Sequence, residues 1–152
     1  MSSIEARLRE LGVTLPPAAP AGGNYIPART IGNVVLLSGV ISMDPEGNII
    51  TGTMGLDSTI EQGYAAARRC AIGQLGVLQR HLGSLDKVRS VLSLNGYVNA
   101  VNGFTDAAKV VNGASDLLVE VFGEAGRHVR AAIGVNALPR KALVEVQMSV
   151  EI

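Results

Sequence analysis

The chain has no tryptophan and only 3% aromatic residues, so a core organised around large rings is excluded. A single cysteine, Cys70, permits no intrachain disulfide, and a stapled, secreted framework is excluded with it. Neither sign of charge is in excess, because 13 basic residues balance 13 acidic ones. That leaves no net field to hold a polyanion, whereas nucleic-acid binders usually show a basic patch or stripe. Long apolar runs are missing too. The longest, Val34 to Ile41, is broken by Ser38 and Gly39 and falls far short of the roughly 20 residues that a membrane span needs. The first residues, MSSIEARLRELG, mix charges of both signs and form no signal-peptide core. These absences predict a cytoplasmic protein with neither membrane nor nucleic acid as its partner.

What is present is a chain of 152 residues, enough for one domain with one core. Its residues are 47% hydrophobic and 17% charged, against about 25% charged in an average domain, which rules out disorder. Glycine is frequent, with 18 residues, and points to close approach of backbones.

Ser2 and Glu5 have capping-box spacing, and Ile4, Leu8 and Leu11 share a helical face that ends at Gly12. Leu15 to Gly23 holds three of the six prolines and two glycines and reads as an extended connector. Residues 1–22 are therefore expected to form a short helix and a Pro/Gly-rich extension, with the main domain over 23–152. Asn33 to Ser42 reads as a strand followed by a turn at Asp44 to Asn48. A second capping box, Ser58 to Glu61, opens the main helix, whose apolar residues Ile60, Tyr64, Ala67, Ala71, Leu75, Leu78 and Leu82 recur at steps of three and four before Gly83. Gly63, Gly73 and Gly76 within it are expected to serve close contacts.

Val88 to Val98 reads as a strand, and Thr105 or Asp106 can cap a helix bearing Val110, Ala114, Leu117, Val121 and Phe122. From Val144 to Ile152 apolar and polar residues alternate strictly, a strand with one apolar face. Upstream, Val129, Ala131, Ile133 and Val135 form the apolar set of another strand, which puts His128, Arg130, Ala132 and Gly134 on its other face. The two strands are expected to pair as a hairpin about Ala137 and Leu138. The order predicts an α+β fold, a mixed sheet with both main helices on one side and the other face uncovered.

On that uncovered face Arg130 would stand over small residues, opposite Glu145 across the hairpin. The ordinary reading of such a placement is a cross-strand ion pair. Other signals are weaker. His81 reads as a surface residue and Cys70 as a buried helix residue, and two histidines without clustered carboxylates or thiols make no metal site. The glycine-rich stretches Gly22-Gly23 and Gly52 to Gly55 lack a phosphate-binding spacing.

Residues 128 to 146, H-V-R-A-A-I-G-V-N-A-L-P-R-K-A-L-V-E-V, resemble the signature of the Rid, or YjgF, family of reactive-intermediate deaminases. G-N-Y at 23 to 25, G-N-V-V-L-L-S-G at 32 to 39 and V-N at 111 and 112 extend the resemblance, which runs from about Gly22 to Ile152. It implies a chorismate-mutase-like fold assembled as a homotrimer with clefts between chains, and hydrolytic deamination of 2-imino or 2-enamino acids to 2-oxo acids and ammonia. By the same resemblance Arg130 grips the substrate carboxylate, Glu145 and Tyr25 place water, and backbone near Ser38 and Gly39 contacts the ligand. Asn112, His128 and Ala132 fall in the same region as substrate-binding candidates. No metal or cofactor is implied.

The chain departs from the deaminating members at His128-Val129-Arg130-Ala131, where proline-alanine commonly precedes the arginine and serine follows it, and Ala132 stands at a pocket cysteine position. The G-x-H-x-R order and the leading extension are similar to a less characterised branch. The alternative to catalysis is a trimeric protein that binds or senses a 2-oxo acid or other small carboxylate. Ribonuclease activity, attached to some relatives, sits poorly with zero net charge.

Overall fold

A computed structural model describes residues 3–152, and Ser2 lies outside them. The first helix, α1 (Ile4–Glu10), is capped by Ser3, whose side chain accepts from Ala6 N. It docks on the rest of the chain through Ile4 N to Asp86 Oδ1 at 2.7 Å and Arg7 Nε to Glu120 O at 2.9 Å. Pro16, in the connector, lies against Gly76, where a Cβ would come within 3.2 Å of it.

The expected strand over 33–42 is two strands, β2 (Val34–Leu37) and β3 (Val40–Ile41), because Ser38 and Gly39 interrupt the ladder. A further strand, β1 (Ala28–Ile31), pairs antiparallel with β2 and was not expected from the sequence. The long helix α2 (Ile60–Leu82) has its cap one residue later than anticipated: Thr59 and Gln62 form the box, while Gly83 ends the helix in the left-handed conformation. Gly63, Gly73 and Gly76 do sit at close contacts, against Val110, Val40 and Pro16 respectively. β4 (Ser90–Asn99) leads into α3 (Ala107–Phe122), for which Asp106 is the cap residue without a side-chain bond.

β5 (Val129–Val135) and β6 (Val144–Glu151) complete a sheet of order β1-β2-β6-β4-β5, with β3 also on β6. The expected β5–β6 hairpin is not formed. β4 lies between them, parallel to β5 and antiparallel to β6. The reason is the β4–α3–β5 crossover, which returns the chain parallel to β4. The segment after β5 is no tight turn either. Pro139–Lys141 forms a 3-10 turn, and Leu143 N bonds Ile50 O, carrying the chain past the end of β4 to β6.

The two long helices cover one sheet face. Val144, Val146, Met148 and Val150 of β6 are buried under them, with Leu94 and Val98 of β4. On β5 the expected orientation is reversed. Arg130 is level with buried Leu94 and points to α3, while Val129 (73% exposed) and Ile133 (50% exposed) lie on the uncovered face. Alternation marks an apolar side of the strand and does not say which face of the sheet that side joins.

Candidate active site

The sequence candidates fall into two groups. The first lies on the uncovered face, around the interruption between β2 and β3. Glu145 of β6 is flanked by Ile41 of β3 and Tyr97 of β4. Its carboxyl group sits against Gly39: a Cβ there would be 3.0 Å from Glu145 Oε2, so any side chain at 39 would push on the carboxyl group. Ser38 is fixed by its hydroxyl, which donates to Ile26 O at 2.7 Å, and by its carbonyl, which accepts from Gln74 Nε2 at 2.9 Å. Gln74 is fully buried on α2 and also donates to Val146 O at 2.7 Å, so it ties the broken ladder to β6. Tyr25 and Ser38 line one groove with Ile26, Leu36 and Gln147. The Tyr25 hydroxyl accepts from Gly22 N at 3.1 Å, which leaves its own hydrogen free to donate.

No donor or cation among the described residues is paired with the Glu145 carboxyl, and burial pushes its pKa up from the ordinary glutamate value. A carboxyl in this state favours folding while protonated, and that contribution is lost as pH rises through the folded-state pKa. Glu145→Gln should therefore raise Tm near about pH 8 and give no advantage near about pH 3, where the carboxyl is neutral in both states. Calorimetry at the two pH values checks this. A lower Tm at the alkaline value would mean that the carboxylate has a compensating partner.

The second group lies at the β5 edge under α3. Arg130 Nη1 donates to Asn112 Oδ1 at 2.8 Å and to Ser115 Oγ at 3.1 Å, and Nη2 reaches Ala108 O at 3.4 Å. Ala108, Asn112 and Ser115 are spaced i, i+4, i+7 and form one stripe along the flank of α3. A guanidinium carries five N–H groups. Three are taken, and the Nε–H and one Nη2–H, which lie along one edge, have no partner among the described residues. The expected ion pair with Glu145 is absent. Arg130 has no carboxylate partner at all among the described residues, since the reversed orientation of β5 and the intervening β4 separate the two side chains. Ala132 follows Arg130 on the same side and touches the core. His128 lies next to the cluster, with Nδ1 2.7 Å from Gly126 O and Nε2 2.9 Å from Ser115 Oγ.

Arg130, Asn112 and His128 thus come together, with Ala132 beside Arg130 on its strand; Glu145 meets Gly39, and the neighbouring Ser38 shares a groove with Tyr25, but within one chain the two groups stay apart. Leu94 is the register partner of both Arg130 and Met148, and Met148 is three residues from Glu145. With strands about 4.8 Å apart and about 3.4 Å per residue, the Arg130 and Glu145 Cα atoms are roughly 14 Å apart, on opposite faces.

Residues 5–152 match the family described as "YjgF/chorismate_mutase-like, putative endoribonuclease". The chain belongs to this family. It is 43% identical over 150 residues to Protein TCP17 of Trypanosoma cruzi, covering 98% of this chain and 94% of that protein. A crystal structure of a protein of unknown function from Agrobacterium tumefaciens is 42% identical, covers 99% of this chain and 92% of its own, and has a TM-score of 0.89. RidA from an Antarctic Psychrobacter is 27% identical, with coverage of 91% and 94% and a TM-score of 0.59. The YjgF/Rid family therefore supplies the chorismate-mutase-like fold seen here.

Gln74 and Ser115 were not singled out in the sequence. A glutamine among the alanines and leucines of the buried α2 face was a visible signal, as was a serine three residues after Asn112. Of the residues set aside, Cys70 is buried with its Sγ 3.4 Å from Val144 O, and burial pushes its thiol pKa far up. His81 is tied to Thr30 Oγ1 at 2.7 Å. No group of three or more potential metal ligands occurs among the described residues. No helix among them is long and apolar enough to cross a membrane.

Proposed function

We propose that the protein hydrolyses 2-imino acids, formed from 2-enamino acids, to 2-oxo acids and ammonia, in clefts shared between copies of a homotrimer. The observation that carries this reading is the held but unpaired Arg130. Its Nη1 corner is anchored on α3, while its Nε–Nη2 edge is free to take a carboxylate side-on.

The carboxylate of a 2-imino acid is bonded directly to the carbon that water must attack, so no such substrate bridges roughly 14 Å. If Arg130 holds the carboxylate and Glu145 handles the water, they come from different chains. The uncovered sheet face supports this. It carries apolar groups at both edges, Val129 and Ile133 on β5 and Tyr25, Ile26 and Leu36 at the other, with Ser93, Asn95, Gln147 and Ser149 between. Two different edge patches that met one another would make a head-to-tail contact, which gives a ring where the rotation between copies closes. The family resemblance supports a trimer as that ring.

In the cleft, the water oxygen adds to C2 of the protonated imine, the C=N π electrons move to nitrogen, and Glu145, ionised, accepts the proton of the attacking water. Glu145 returns that proton to nitrogen, then takes the proton of the carbinolamine hydroxyl as its oxygen forms the C=O bond, the C–N bond breaks and ammonia leaves. Tyr25 donates its free hydroxyl hydrogen to the water and orients it. Ser38 and Gly39 line the site with backbone held in place by Gln74. The raised Glu145 pKa places the base limb of the rate profile above the ordinary glutamate range. Activity should fall as pH drops through it.

Generating 2-aminoacrylate enzymatically and following its decay is the test. General acid–base catalysis predicts loss on the order of 10²-fold faster than the spontaneous rate. An unchanged decay rate, with 2-oxobutanoate still bound, would replace this reading with that of a carboxylate-binding protein. The endoribonuclease in the family description finds no support in a chain of zero net charge.

A further inference from the structure

With the ring neutral, the contacts of His128 have one consistent pattern of hydrogens. Gly126 O can only accept, so Nδ1 of the imidazole carries the hydrogen. In the neutral ring Nε2 is then bare and accepts, so the Ser115 hydroxyl donates to it. That turns a lone pair of Ser115 Oγ toward Arg130 Nη1, which donates at 3.1 Å. The chain of bonds runs one way, from Arg130 to Ser115 to His128 to Gly126. Without an acceptor at His128, the Ser115 hydroxyl is free to rotate, and its hydrogen can point at the guanidinium instead of its lone pair.

We infer that Ser115 and His128 are positioning residues for Arg130: His128 sets the direction of the Ser115 hydroxyl, and Ser115 together with Asn112 turns the Nε–Nη2 edge of the guanidinium toward the carboxylate. Neither touches the ligand. This assigns His128 a different part from direct substrate contact, and it gives Ser115 a role that the sequence does not reveal. It rests on the carboxylate-gripping part of Arg130 proposed above. The polarity of the bonds distinguishes it from mere filling of space, because in the neutral ring Nε2 takes the Ser115 hydrogen and leaves a lone pair for Arg130.

The test uses 2-oxobutanoate as the carboxylate probe, with affinity by calorimetry and Tm alongside. Ser115→Ala and His128→Leu should each weaken binding about fivefold, as expected for loss of one hydrogen bond to a charged group. His128→Gln, whose amide oxygen can stand in for Nε2, should bind within about twofold of the parent, a rescue that a purely structural role would not show. Nitrogen NMR of the parent at a pH where the ring is neutral should find His128 with its hydrogen on Nδ1, and this measurement needs no variant to fold.

Hydrogen on Nε2 would overturn the inference. So would full binding by Ser115→Ala and His128→Leu while Arg130→Lys binds poorly, which would leave the grip of Arg130 intact. Full binding by Arg130→Lys would remove the proposed grip itself and this inference with it.

Discussion

Arg130→Lys should bind 2-oxobutanoate about tenfold or more weakly than the parent and melt at nearly the same temperature. Lysine keeps the charge but has a single nitrogen, so it cannot satisfy Asn112 and Ser115 and still present two parallel N–H groups to a carboxylate. Charge-assisted hydrogen bonds of this kind contribute roughly 1.5–3 kcal/mol each, which corresponds to tenfold or more in affinity. Stability should hardly change, because Arg130 is exposed, lies at the sheet edge and has no carboxylate partner to leave buried. Titration calorimetry and a thermal melt on the same preparations decide the matter. Undiminished affinity with a clearly lowered Tm would make Arg130 a strut for α3 and remove the carboxylate site.

That the same residue can be judged from sequence and yet misplaced in it follows from what alternation encodes. The β6 pattern, Val144 to Ile152, specifies both a strand and its buried side, because the apolar residues meet this chain's own helices. The β5 pattern is just as regular, but its apolar residues Val129 and Ile133 face away from those helices. Apolar periodicity marks the side that is to be covered and does not say by what.

Strand pairing was hidden for a similar reason. Two strands close in sequence suggest a hairpin, and only the preceding β4–α3 unit shows that β5 must return beside β4. The caps of α1 and α2 were legible to within one residue, since several neighbouring side chains in each can act as the acceptor. The site residues came from the family motif, and their division into two groups could not be read there, because it depends on the faces of strands. Gln74 and Ser115 carry no motif; their signal is a polar residue beside an apolar helical stripe, which the three-dimensional contacts alone explain.

The division of the site makes a sharper demand than any single variant. Arg130→Lys and Glu145→Gln should each abolish most deamination of 2-aminoacrylate, the first by losing the carboxylate grip and the second by losing the base. Mixed by co-expression, or by unfolding and refolding together, they should regain activity. In a ring where each cleft takes Arg130 from one chain and Glu145 from the next, a cleft is intact when the first chain is the Glu145→Gln variant and its neighbour the Arg130→Lys variant. With equal amounts and random assortment this occurs at about a quarter of the clefts, and every mixed trimer contains one such cleft. Activity should therefore return to about 25% of the parent's, where the separate variants leave almost none. If the two groups served one substrate within a single chain, no mixture could contain an intact site, and the mixed sample would be as inactive as its components. The strand register, which holds Arg130 and Glu145 roughly 14 Å apart on opposite faces of one sheet, is what favours the recovery.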